Sequence, residues 1–311
     1  MKRLDALTLK QLRSLQLICD TGSLSAAAEA MRLTPPAVHS QIRILEDNFG
    51  CRLLDRTGPQ GFRATAEGEA LLRAHGRIRT ALDRALTEID ALAAGHTGSV
   101  VLGAVSTAKY VMPGLVARFQ RARPGIEIVL RIGNRARILA GLEAGEFDLA
   151  FMGRPPRVPE VVALTVGDHP HVLIAPPGHP LGGAGAVPAA RLLAETFILR
   201  EPGSGTRILT TRFLDETGRG TVTRQVEMDS NETIKQAVRA GLGIAILSGH
   251  TVHEELATGR LVALQAAGLP ILRQWFMVHR ADMPPSSAAR ALLDWVEANR
   301  GDLLPVIDTQ A

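Results

Sequence analysis

Two glycines, Gly22 and Gly50, bracket the stretch that most limits what this chain can become: GSLSAAAEAMRLTPPAVHSQIRILEDNFG. Ser23 suits the N-cap of a short helix, and Ala26, Ala27 and Ala28 leave a surface that another helix can cross closely. Met31, Arg32 and Leu33 make a turn. Thr34 is placed to cap a second helix that opens on Pro35 and Pro36, where a missing N–H costs nothing. Val38, Ile42, Leu45 and Phe49 then recur on one buried face, while Ala37 falls in the first turn and His39, Ser40, Arg43 and Asp47 look the other way. This is the layout of a helix-turn-helix, whose second helix is free to enter the DNA major groove. The competing expectation is an ordinary helical hairpin inside a core.

The flanking sequence supports the DNA expectation. Thr8 and Gln11 form a capping box for a preceding helix with Leu9, Leu12, Leu15 and Cys19 on its inner face. After the pair comes CRLLDRTGPQGFRAT, which reads as a two-stranded hairpin around Gly58, Pro59 and Gly61. Arg52, Arg56 and Arg63 project from this wing and suit phosphates or a minor groove. Residues 1–65 hold nine Lys or Arg against six Asp or Glu, a local excess that favours a polyanion. From Thr65 a helix is predicted through the linker domain 66–95, about 40 Å long. Leu71, Ile78, Ala85 and Leu92 share one heptad register, and Leu82 and Ile89 the other. A seam of that kind predicts a dimerisation arm.

Beyond Ser99 the pattern alternates strands and helices, which implies open, mainly parallel sheets covered by helices. The expected effector domain, 96–311, splits into lobe I (99–165 plus 269–300) and lobe II (166–268). VVALTVG and HVLIAPP read as separate strands, with lobe crossings near Thr165–Asp168 and Ala266–Pro270. Ligands of such sheets sit past strand ends at helix N-termini. Three junctions fit: Ser106-Thr107-Ala108-Lys109, Pro202-Gly203-Ser204-Gly205-Thr206-Arg207 and Asp229-Ser230-Asn231-Glu232-Thr233. Free N–H groups make each an anion site, and plain N-capping is the alternative for one or two of them. Lys109 and Lys235, the two lysines outside the N-terminal part, lie in or beside these junctions. Arg135, Arg154, Arg157, His169 and His171 add cations near predicted strand ends. His169 and His171 with Asp168, or His250 and His253, lack the further ligands a structural metal site needs, so a phosphate contact or a solvated loop is preferred and no metal is expected. Two cysteines make no disulfide framework, with Cys19 read as a buried thiol and Cys51 as more accessible. Without a signal peptide or an apolar membrane-length run, a cytoplasmic protein with no membrane partner is expected.

On these parts, and most specifically on GSLSAAAEAMRLTPPAVHSQIRILEDNFGCRLLDR, the chain resembles the LysR-type transcriptional regulators along essentially its whole length. It is similar to their Calvin-cycle subgroup in LDALTLKQLRSLQ, VSTAKYVMPGLVARF, MGRPPR, GDHPHVLIAPPGHPL, LREPGSGTR and SNETIKQAVRAGLGIA. The resemblance implies a winged helix-turn-helix, a long linker helix and a two-lobed α/β domain like periplasmic binding proteins. The usual base-contacting positions fall on Pro35, Pro36, His39 and Ser40, where this chain departs from the common Gln-Pro-Ala-Val-Ser-Arg pattern. Effector contacts are implied for Ser106, Thr107, Ser204, Thr206 and Asn231. The implied ligand is a sugar phosphate, a phosphoglycerate-type acid or NADPH, with no other cofactor. The implied partners are an operator with an interrupted inverted repeat, RNA polymerase, and further copies of the chain as a homodimer or homotetramer.

Three other functions stand beside this one. A regulator of another operon would take a carboxylate effector. An α/β enzyme with an N-terminal oligomerisation arm would need a nucleophile, a base and an orienting group, and no such set is present; Ser204 between its glycines is not on a nucleophile elbow. A transporter's solute-binding protein would have no use for the basic N-terminal part.

Overall fold

A computed structural model describes residues 6–58, 61–94, 96–183, 185–218 and 221–307. The chain divides into two compact units, Met1–Ala85 and Leu86–Ala311.

The first unit is built on α1 (Leu9–Thr21), α2 (Leu24–Met31) and α3 (Pro35–Phe49). The Thr8/Gln11 capping box is present. Ser23 caps α2 by accepting from the Ala26 N–H. Thr34 occupies the N-cap of α3, but its side chain makes no capping bond; the two prolines leave it fewer N–H groups to meet. The turn closes through Arg32, the one non-glycine residue in left-handed backbone among those described. The core joins Leu15 and Ile18 to Val38, Ile42 and Leu45. Leu9, expected inside, is exposed, and Leu15 and Ile18 fill that contact. Cys19 and Cys51 are both half-buried.

The expected wing is β1 (Leu54–Gly58) paired antiparallel with β2 (Gly61–Ala64). Two devices fix it. The Glu46 carboxylate of α3 accepts from the N–H groups of Leu53 and Leu54. The Phe62 N–H donates to the Gly22 carbonyl at 3.1 Å. That contact needs Gly61: its φ is +84°, and a Cβ there would lie 2.2 Å from the Gly22 oxygen. Gly61→Ala is therefore expected to cost about 2–5 kcal/mol, adding left-handed strain to a clash. Gly50→Ala, at φ +68° with open space around it, costs only the strain, about 1–2 kcal/mol. Chemical denaturation of both variants checks the order.

Helix α4 runs Ala66–Ala93 in one piece. Ile78, Leu82, Ala85, Ile89 and Leu92 of the expected seam are exposed on it. Leu71 is not part of that stripe, because it packs half-buried against the core of the first unit.

The second unit orders β3 (Gly98–Val105), β4 (Ile126–Gly133), β5 (Leu149–Met152), β6 (Val161–Ala175), β7 (Thr196–Arg200), β8 (Arg224–Met228), β9 (Ala245–Ser248), β10 (Val262–Leu264) and β11 (Ile271–Arg280). Between them lie α5 (Met112–Ala122), α6 (Arg135–Ala144), α7 (Ala189–Leu193), α8 (Gly205–Gly218), α9 (Asn231–Arg239) and α10 (Gly249–Ala257); α11 (Ser287–Ala298) follows β11. Seven strands form one sheet in the order β10-β6-β11-β5-β3-β4, with β9 also on β6, while β7 and β8 pair separately. The expectation of mainly parallel sheets holds only in part. β3 pairs in parallel with β4 and β5, and β7 with β8. Every pairing of β6 and β11 is antiparallel.

The two stretches read as separate strands, VVALTVG and HVLIAPP, are one strand, β6. It and β11 lie side by side from Val161↔Arg280 to His171↔Ile271. One end packs with Val166, Trp275 and Val278 into the first lobe's core, and the other with Leu173, Ala175 and Ile271 into the second's. β11 thus leaves the second cluster after Ile271, next to the expected crossing near Ala266–Pro270. Among the described residues no helix is long and apolar enough to cross a membrane.

Candidate DNA interface and ligand cavity

On α3, Pro35, Pro36, His39, Ser40 and Arg43 are exposed on one side, opposite buried Val38, Ile42 and Leu45. Ala37 is half-buried. Arg43 has only a loose, solvent-exposed pairing with Asp47 at 4.0 Å, which a phosphate can displace at little cost. Arg52 and Arg63 are exposed beside the wing; the Arg56 side chain lies outside the described residues. Ser14, buried in α1, ties α3 to that helix: its hydroxyl donates to Gln41 at 2.5 Å.

In the second unit a cavity of about 660 Å³ opens between the lobes. Seven of the nine sequence-predicted effector residues line it: Ser106, Thr107, Arg135, Arg154, His169, Ser204 and Thr206. Ser106 and Thr107 begin a 3-10 turn after β3, and Ser204 and Thr206 flank the start of α8. Their places follow from strand ends meeting helix starts. Arg135 opens α6 behind its Asn134 cap and donates to the Arg154 carbonyl at 2.6 Å.

Lys109 and Asn231 do not line the cavity. Lys109 pairs with Glu232 at 2.6 Å, and Glu232 also accepts from the hydroxyl of Tyr110. Asn231 is buried, and its side-chain oxygen accepts from Arg200 at 2.6 Å. Lys235 is likewise held, by Glu255 at 2.8 Å. The lysines thus lend the cavity no charge, and arginines supply it. Arg212 and Arg273 join Arg135 and Arg154 on the wall, and among the described residues no Asp or Glu lines it. Among the described residues only Arg212 of these four has a carboxylate near, Glu216 at 4.0 Å. Burial first, then Arg154, depresses the Arg135 guanidinium below its ordinary pKa. Two unneutralised cations held together in this way favour an anion between them.

Two residues of the stretch GDHPH, His169 and His171, also line the cavity. His169 stacks on Trp275 at 3.6 Å and shares a 2.9 Å hydrogen bond with Ser248. His171 lies 4.2 Å from it, ring to ring, and Trp275 donates to His250 at 3.4 Å. Among the described residues no group of three or more His, Cys, Asp or Glu is placed to hold a metal ion. Burial is the main cause that pushes all three imidazoles down: His171 and His250 to about 4, and His169 well below 6.5. Unfolding returns each to about 6.5, so the unfolded chain binds more protons below that pH. Stability is therefore expected to fall as pH drops from about 6.5 towards 4. A His171→Asn variant should show a shallower decline in melting temperature over the same window.

Sequence reasoning missed Arg200, Arg212, Arg273, Gln274 and Phe276. Arg200 was legible in LREPGSGTR only as part of a motif, and the others fall where β11 and α8 turn a side chain inward.

A recognition helix with a wing, a long helix with an apolar stripe and a second unit around a cationic cavity define a DNA-binding regulator with a ligand-binding domain. Residues 9–69 match the bacterial regulatory helix-turn-helix protein family of lysR type, and residues 93–300 match the LysR substrate binding domain. The chain belongs to the LysR family of transcriptional regulators, and not to an enzyme family. It is 49% identical over 306 residues to the HTH-type transcriptional regulator CbbR of Cereibacter sphaeroides, covering 98% of this chain and 99% of that one. It is 40% identical over 289 residues to a RuBisCO operon transcriptional regulator of Allochromatium vinosum, covering 93% and 95%. Among solved structures it is similar to the CcmR regulatory domain of Synechocystis PCC6803 in complex with 2-PG (TM-score 0.62, 34% identity), covering 66% of this chain and 98% of that one.

Proposed function

We propose that this regulator controls transcription of a carbon dioxide fixation (RuBisCO) operon, and that its effector is a small phosphorylated anion of the 2-phosphoglycolate class. The observation that carries the ligand class is the cavity wall: four arginines and a helix N-terminus, with no carboxylate among the described residues. Whole-length similarity to CbbR and RuBisCO operon regulators supports the choice of genes. The solved relative bound to 2-PG supports the choice of ligand. Two copies joined along α4 set two recognition helices on an interrupted inverted repeat, and the lobes alter how those copies sit and what they offer to RNA polymerase.

Thermal shift and operator titration against 2-phosphoglycolate, ribulose bisphosphate, NADPH and a neutral sugar test this reading. Phosphorylated ligands are expected to raise the melting temperature of the second unit and change operator affinity. A shift with an unphosphorylated carboxylate alone would assign the chain to another operon and overturn it.

A further inference from the structure

Arg200 ends β7 and is 3% exposed, yet it does not line the cavity. Its charge is met by its neighbour Glu201, with Nε to Oε2 at 2.7 Å and Nη2 to Oε1 at 3.0 Å. The rest of the guanidinium reaches across the lobes. Nη2 donates to the Ser106 hydroxyl at 3.2 Å, and Nη1 to the side-chain oxygen of Asn231 at 2.6 Å. A guanidinium only donates, so Ser106 Oγ and Asn231 Oδ1 must accept. That settles the polarity of both groups. The remaining proton of Ser106, which lines the cavity, is free to donate into it. The amide nitrogen of Asn231 is buried without a partner and can only donate.

We propose that Arg200 is a positioning residue that holds the Ser106 oxygen as an acceptor and so turns its proton into the cavity, which selects the fully ionised form of an oxyanion and rejects the form that carries a proton. This rests on the anionic-effector reading and sharpens it. A P–OH proton needs an acceptor; at this corner Ser106, its oxygen taken up by Arg200, offers a proton instead, and among the described residues no carboxylate lines the wall. The charged groups that face this corner are Glu201, already spent on Arg200, Arg207, which bonds the Arg200 carbonyl and Glu227, and the Lys109–Glu232 pair. Across the cavity stand the four arginines together with His169 and His171, whose burial pushes both imidazoles below their ordinary pKa.

The first test uses the unmodified full chain, with calorimetry as the readout. A phosphoryl group loses its second charge near pH 6, whereas sulfate stays doubly charged. Between pH 7.5 and 5.0, 2-phosphoglycolate is expected to bind about tenfold more weakly, following its dianion fraction, while sulfate stays level. If 2-phosphoglycolate held its affinity, the site would accept a protonated oxyanion and the proposal would be wrong. It would be wrong too if sulfate weakened in parallel, because a protein group would then be titrating. Should neither anion bind at pH 7.5, the anionic-effector reading itself fails.

The second test is a cycle of Ser106→Ala, Arg200→Lys and the double variant, with operator binding as the check of folding. Each single change is expected to weaken 2-phosphoglycolate about tenfold, the effect of losing one hydrogen bond to a charged group. The double variant should lose little more, because Arg200 acts through Ser106. A hundredfold loss would show that Arg200 acts independently and would overturn its positioning role. If Arg200→Lys does not fold, the pH comparison decides alone.

Discussion

Replacing Leu82 and Ile89 with glutamate is expected to convert the protein to monomers and to weaken operator binding by at least about a hundredfold. Both residues lie on α4 and are exposed, at 47% and 58%. Ile78, Leu82, Ala85, Ile89 and Leu92 alternate steps of four and three, the spacing of a two-helix seam. Exposed leucines and isoleucines in that register leave apolar area in water until a second helix covers it. Two like charges placed in the seam would be desolvated against their own copies. One recognition helix reads only a few bases, so a tethered second copy raises avidity by about 10²–10⁴. Sedimentation equilibrium and an operator titration check the two halves of the expectation. The melting temperature should fall to that of the lone chain and lose its dependence on protein concentration, since a partner copy that binds only the folded chain stabilises it by mass action. Retention of a dimer by the double variant would show that the seam lies elsewhere.

Leu71 shows how far the heptad could be read. It keeps the register of Ile78 and Ala85, but the first unit's core claims it. Periodicity says which residues share a face, and only packing says what covers that face. The same limit governs the rest of the chain. The segment 22–50 was legible because its helices are short, capped and bounded by glycines whose backbone is left-handed. The crossing strands were not. VVALTVG and HVLIAPP read as separate strands with a break at Asp168–Pro170, since Pro170 cannot donate to a ladder and Asp168 disfavours strands. Pairing along the length of β11 holds that stretch extended nonetheless. The cavity was legible where a strand end meets a helix start, as at Ser106 and Ser204. Asn231 obeyed the same rule and still turned inward, because the buried guanidinium of Arg200, a strand residue in an apolar run, takes its oxygen. No pattern in TFILRE announces a buried cation.

Arg135→Met is expected to separate ligand binding from stability by moving them in opposite directions. Arg135 is half-buried, its cation faces Arg154, and among the described residues no carboxylate pairs with it. In the free protein it is a cost: desolvation and like charge both disfavour it. Methionine keeps the apolar stem and the volume while removing the charge, so the free variant should melt at the same temperature or slightly higher. The ligand complex has the opposite dependence. A phosphoryl dianion lying against Arg135 and Arg154 relieves their repulsion and accepts charge-assisted, bidentate bonds. Losing two such bonds should weaken 2-phosphoglycolate by about a hundredfold. Operator binding without ligand should be unchanged, because Arg135 belongs to the second unit and the recognition helix to the first. The measurement is a pair of melting curves, with and without 2-phosphoglycolate, for both proteins. Wild type should gain stability on adding ligand and the variant should gain almost none. If the free variant instead melted well below wild type, Arg135 would be part of the scaffold and the cavity's charge would have been read with the wrong purpose.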